Sequence, residues 1–483
     1  MSLPRRALLA GAAAAWTGAA WAQDRPAPPA PPRAERLPAQ AVTQHSLALP
    51  GRTLRFTATA GSVALTDPQG APQAEVATIA YTLDGADAAT RPVTFVLNGG
   101  PGAASAWLQL GALGPWRLDM RFAPSAPPLL QDNAETWLDF TDLVFIDPVG
   151  TGYSRFLAAG EEVRKRVWSV AGDIESIAGA IRRWLVQAGR FTSPKFLVGE
   201  SYGGFRGPRL ARTLAQSHGV GLRGLVLVSP VLDFGGRSNA MDPLALVALL
   251  PTLAAAGRGA ASRAEVADAE AYASGEYLAD LLRGAQPDAV ARRSARVAAL
   301  TGLDPAIVRR HGGMLDMFAW QRNAAPGRLP SLYDLDITLA DPDPASPWSR
   351  APDAVLDSLR APFTAGMMAL YGTRLGWKLD APYEVLSDAV NRGWDWGGGR
   401  TPPESTSHLR DALALDPALR VLVAHGLYDA VTPYFRSALL LDTIAPSDGR
   451  ERVSLATLPG GHMFYSREAG RGALREAAAA LYR

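Results

Sequence analysis

The sequence predicts an α/β fold in which a mostly parallel central sheet is flanked by helices and carries a largely helical cap insertion late in the chain. Three observations lead there. Short apolar runs bounded by Gly or Pro recur at 93–97, 143–146, 196–198, 225–228 and 421–424, each the length of a strand buried on both faces. Helical patterns lie between them. Residues 235–400 then break this rhythm with Ala-rich helical stretches and Pro-rich loops before strand-like sequence resumes at Leu419.

In chain order, the first element is an address. Pro4-Arg5-Arg6 precedes an apolar stretch from Ala7 to Ala19 that closes on Ala20-Trp21-Ala22. A short basic region, an apolar core and a small-x-small ending predict a signal peptide over 1–22, cleaved after Ala22, and so an exported protein, periplasmic or secreted. Arg5-Arg6 with Leu8-Leu9 fits a twin-arginine route and the general secretion route alike. No segment of the mature chain supplies the run of about 20 apolar residues a membrane span needs. Residues 23–40, rich in Pro, read as an extended, mobile tether.

The first part of the core is expected over 41–234. Short alternating runs between 42 and 83, such as Leu54-Arg55-Phe56-Thr57, suggest antiparallel strands. Between the strands at 143–146 and 196–198, Val167, Val170, Ile174, Ile177, Ile181 and Leu185 put one apolar stripe of a helix against the sheet. Residues 235–400 form the cap insertion, with Trp394 and Trp396 read as core or substrate pocket. The second part of the core follows over 401–483.

Composition narrows the chemistry. The 483 residues contain no cysteine, which excludes disulfides, Cys-ligated zinc, iron–sulfur clusters and a thiol nucleophile. Lysine occurs only at 165, 195 and 378, and without Arg5 and Arg6 the 48 basic residues become 46 against 46 acidic. A neutral chain with no basic run offers no electrostatic footprint for nucleic acid or an anionic membrane. No His-x-x-x-His pair exists either, so neither a metal nor another cofactor is implied.

Three separated segments carry the chemistry. Gly199-Glu200-Ser201-Tyr202-Gly203 falls between a strand and a helix, where G-x-S-x-G is a nucleophile elbow that lifts Ser201 out of the sheet. The bland alternative is a Gly-rich turn with a surface serine. Asn98-Gly99-Gly100-Pro101-Gly102 follows an early strand, which makes the backbone N–H groups of Gly100 and Tyr202 the oxyanion-hole candidates. The acid and base must then follow the serine in that order. Of six histidines, His462 follows one late strand and Asp429 the strand before it. His425 is the rival base, but it precedes Asp429 and reads as a buried, hydrogen-bonded histidine near the site.

Together these segments resemble the serine carboxypeptidase family of α/β-hydrolases, which shows Asn-Gly-Gly-Pro-Gly, Gly-Glu-Ser-Tyr, an Asp in a Gly-x-x-Asp turn and Gly-His. The counterparts are Asn98–Gly102, Gly199–Tyr202, Gly426–Asp429 and Gly461-His462. Asp147 to Ser154 matches a further, structural family segment. The resemblance implies removal of C-terminal residues from peptide substrates, with Asn98, Gly99 and Glu200 binding the terminal carboxylate. A carboxyl donates to a carboxylate only while protonated, so acid pH is favoured. An esterase or acyltransferase using the same site is the alternative, and a binding protein on a retired hydrolase fold a third. The chain departs from the family in three places. Ala103 stands where relatives have cysteine, Met463-Phe464-Tyr465 lacks a common proline, and Ala112 replaces a glutamate that pairs with the elbow glutamate.

Overall fold

A computed structural model describes residues 35–235, 242–346, 351–399, 401–445 and 449–483. The expected signal peptide and residues 23–34 of the tether lie outside the described residues. The end of the tether is docked. Leu37 is buried and its N–H donates to Glu75 at 2.7 Å, while Trp377 Nε1 donates to Ala39 O.

The main sheet has ten strands: β1 (Ala41–Leu49), β2 (Arg52–Thr66), β3 (Pro72–Leu83), β4 (Val93–Leu97), β5 (Asp142–Ile146), β6 (Arg155–Phe156), β7 (Lys195–Glu200), β8 (Gly224–Val228), β9 (Arg420–Gly426) and β10 (Val453–Leu458). Their order is β1-β2-β3-β5-β4-β7-β8-β9-β10, with β6 pairing off β3. The six strands from β5 to β10 along this path run parallel. The three opening strands add an antiparallel flank.

Burial on both faces explains the apolar runs. Phe95, Leu97, Leu197, Leu225, Leu227, Val421 and Val423 pack into one core. The alternate residues Val96, Val198, Val226, Val228, Leu422 and Ala424 pack into the other, as the two-residue period of a strand requires. The first core is closed by α1 (Val170–Gln187) and α2 (Tyr202–Ser217), the second by α6 (Glu468–Leu481). Val167 belongs to a separate short helix, Glu161–Val167, because Ser169 interrupts the stripe. Its hydroxyl accepts from Gly172 N–H at 3.1 Å and starts α1 afresh.

The residues between β8 and β9 pack in two parts. Helices from α3 (Pro243–Arg258) to about residue 320 build their own apolar cluster with Tyr434 and Phe435 of α5 (Tyr434–Leu441). The later part joins the main core instead. Phe363 of α4 (Leu356–Ala369) stacks on Trp107 at 4.7 Å, and Tyr383 hydroxyl donates to Asp147 at 3.0 Å. A short hairpin of Arg328–Pro330 with Thr338–Ala340 lies between the two parts. Among the described residues, no single helix is long and apolar enough to cross a membrane.

Candidate active site

Strand register assembles the site. Leu97 pairs with Gly199, Glu200 with Val228, and Val228 with Ala424, so the loops after β4, β7, β8 and β9 all leave the sheet at one edge. Parallel α/β sheets bind ligands in the crevice at this carboxyl edge.

Ser201 sits at the sharp turn from β7 into α2, with φ +59° and ψ −119°. A non-Gly residue at positive φ is strained and has to be held by its surroundings. The holding is visible: Ser201 N–H donates to Val228 O at 2.9 Å, and Gly204 N–H donates to Ser201 O at 2.9 Å. Gly199 is required by close approach, since a Cβ there would lie 2.1 Å from Gly203 O. Ser201 is partly exposed between buried Glu200 and Tyr202.

The Asn98–Gly102 loop lies against this elbow. A Cβ on Gly99 would fall 2.5 Å from Tyr202 N, so the two backbone segments proposed as an oxyanion cradle are in contact. Gly100 has φ +98°, a conformation that favours glycine. Asn98 is fixed from three sides. Its amide donates to Glu200 Oε2, its side-chain oxygen accepts from Leu108 N–H at 3.0 Å, and its carbonyl accepts from Arg206 Nη1 at 2.6 Å. Arg206 is itself buried and paired with Asp173 of α1 through 2.7 and 3.0 Å bonds.

Asp429 and His462 meet after β9 and β10. His462 Nδ1 is 2.7 Å from Asp429 Oδ2, and Asp429 Oδ1 accepts from the N–H groups of Val431 and Thr432 at 2.9 Å each. Thr432 hydroxyl, which lies 2.5 Å from Asp429 Oδ2, also reaches Ser229 O and His462 Nδ1. Ser229 hydroxyl donates to His462 O at 2.8 Å. His425 is fully buried with Nε2 2.8 Å from Ser437 hydroxyl, and burial pulls its pKa down to about 4.

Burial pushes the Glu200 carboxyl up to about 7, against the opposing pull of His462 and of hydrogen bonds from Tyr465 and Asn98, while Asp429 adds to the rise. The bonds from Tyr465 hydroxyl to Glu200 are 2.9 and 3.0 Å long.

Sequence reasoning missed Tyr465, Thr432, Ser229 and the segment around Tyr333. That segment buttresses the histidine loop. His462 N–H donates to Tyr333 O at 2.5 Å, Gly461 N–H donates to Asp334 Oδ2 at 2.9 Å, and Arg467 also binds Asp334. The Tyr333 ring stands edge-on to the His462 imidazole at 5.3 Å. Trp394 and Trp396 lie beside the elbow, 5.4 and 5.7 Å from the Tyr202 ring.

A parallel sheet whose carboxyl edge carries a strained strand–turn–helix serine defines an α/β-hydrolase fold. The sequence profile described as serine carboxypeptidase matches residues 81–260, and over that stretch the chain is similar to that family. Serine carboxypeptidase-like 45 of Arabidopsis thaliana is 29% identical over 161 residues, 31% of this chain and 32% of that protein. Pheromone-processing carboxypeptidase KEX1 of Yarrowia lipolytica is 29% identical over 161 residues, 32% of this chain and 24% of that protein. The chain spans about a third of the length of the first curated relatives it matches. Among solved structures it is similar to a thermophilic esterase from Thermogutta terrifontis, at 15% identity and TM-score 0.38 over 88% of this chain and 99% of that one.

Proposed function

We propose that the protein is an exported serine carboxypeptidase, cleaving the C-terminal peptide bond of peptides through an acyl-enzyme. Ser201 attacks the scissile carbonyl while His462 takes its proton, and Asp429 holds the imidazole in the productive tautomer. The N–H groups of Gly100 and Tyr202 receive the developing oxyanion. His462 then gives its proton to the leaving amine, and water releases the acyl group.

The observation that carries the exopeptidase reading is Glu200, a buried carboxyl directly before the serine and bonded to Asn98. With its pKa raised to about 7, it keeps a proton in mildly acid solution. It can then donate to a substrate carboxylate, alongside Asn98 and the Gly99 backbone. As pH rises through about 7, Glu200 ionises and repels a terminal carboxylate, so kcat/KM for free-acid peptides falls, chiefly through KM. A carboxy-amidated peptide or an ester carries no charge for Glu200 to repel and should decline less. Matched blocked dipeptides, free and amidated, assayed across pH 5 to 9, test this. Superimposable profiles would replace the exopeptidase reading with an esterase, acyltransferase or endopeptidase.

Export rests on the amino-terminal sequence. The mature protein is expected to begin at Gln23, and amino-terminal sequencing of the secreted form checks it. A start far from Gln23 removes the cleavage assignment.

A further inference from the structure

Glu200 is gripped from two sides. Asn98 donates to Oε2, and the Tyr465 hydroxyl lies 2.9 Å from Oε1 and 3.0 Å from Oε2. All three side chains are buried. Tyr465 comes from the turn Phe464–Ser466, three residues past His462, and its carbonyl accepts from Arg471 at 3.2 Å. Its ring lies against the turn Gln109–Leu113, where a Cβ on Gly111 would come within 2.7 Å of the ring Cε2. The neighbour of Gly111 is Ala112, the position at which the sequence lacks an acidic partner for Glu200. A phenol thus bonds Glu200, and its ring packs beside the segment that carries Ala112.

A phenol and a carboxyl act on Glu200 in opposite directions. A second carboxylate would oppose ionisation by like charge, whereas a neutral O–H donor stabilises the ionised form. Burial and the adjacent Glu200 hold the Tyr465 phenol well above its ordinary pKa, so it remains a donor. We propose that Tyr465 is a positioning residue for recognition of the substrate's C-terminal carboxylate: its hydroxyl fixes the Glu200 carboxyl beside Asn98 and sets the pH range over which Glu200 can serve as the donor. The inference rests on the carboxypeptidase reading. The titratable groups acting on Glu200 are Tyr465, His462 and Asp429, and replacing Tyr465 alters only the first.

The test is Tyr465→Phe, assayed with matched free-acid and amidated peptides across pH. Losing a donor to a carboxylate raises the carboxyl's pKa, so the alkaline midpoint for the free acid should move up by about 0.5 to 1 pH unit, in KM rather than kcat. The amidated profile should not move. Incorporating 3-fluorotyrosine at 465 keeps the ring in place and strengthens the donor, so it should shift the midpoint down and remains readable if the Phe variant folds poorly. In a Glu200→Gln background, which has no proton to lose, Tyr465→Phe should leave the midpoint unchanged. If wild-type free and amidated profiles differ but neither Tyr465 variant shifts the midpoint, or the Phe variant shifts it down, the role of Tyr465 is overturned and the carboxypeptidase reading stands. If the two wild-type profiles coincide, that reading fails and the role of Tyr465 fails with it.

Discussion

Ser201→Ala and His462→Ala should each lower kcat/KM by about 10³-fold or more, leaving only binding and oxyanion contributions. The basis is the strained turn at Ser201 and the 2.7 Å bond from His462 to Asp429. Asp429→Asn should cost about 10³ to 10⁴-fold, because an amide no longer selects the imidazole tautomer whose Nε2 is free to take a proton. His425→Ala is the control. Its Nε2 is engaged with Ser437 and its ring is fully buried, so the variant should lose stability while the folded fraction keeps most of its activity. Active-site titration with a fluorophosphonate counts that fraction. A rate loss per folded molecule equal to that of His462→Ala would move the base to His425.

Arg206→Met should cost about 3 to 5 kcal/mol of stability, the typical cost of leaving one member of a buried ion pair alone. Arg206 neutralises Asp173 with two bonds, and its third group holds the carbonyl of Asn98. Burial already raises the Asp173 pKa despite the guanidinium. Without Arg206 that carboxyl would take up a proton, so the loss should be smaller at pH 5 than at pH 8 in urea unfolding. Adding Asp173→Leu should recover part of the loss. Catalysis should suffer beyond the stability change, since the loop carrying Asn98, Gly99 and Gly100 loses its support from below. A loss under about 1 kcal/mol, with no recovery in the double variant, would remove Arg206 from this role.

Much of this geometry was legible beforehand because it is written locally. The strand runs at 93–97 and 225–228 and the elbow at Gly199 to Gly203 each depend on contiguous residues, and chain order with placement after successive strands singled out Asp429 and His462. What escaped notice depends on contacts between distant segments. Glu200 and Tyr465 are separated by 265 residues, Asn98 and Arg206 by 108. No periodicity announces such pairs, and the only available signal for Tyr465 was its place three residues after the candidate base. The stripe through Val167 misled for a different reason: its spacing was helical, but Ser169 favoured capping over continuing the helix. The division of 235–400 was also hidden. Its two parts differ in which apolar cluster they join, and that depends on contacts with distant segments.

The buttress beneath His462 limits how the stretch between β8 and β9 can be exchanged. The backbone of Tyr333 and the carboxylate of Asp334 hold the histidine loop, although both belong to the 235–400 stretch expected as a cap insertion. A chimaera built by exchanging the whole of that stretch with a relative would therefore trade away part of the scaffolding for the candidate base. Grafts that stop before Ser331 and restart after Ile337 would leave the histidine anchored while the rest of the stretch changes.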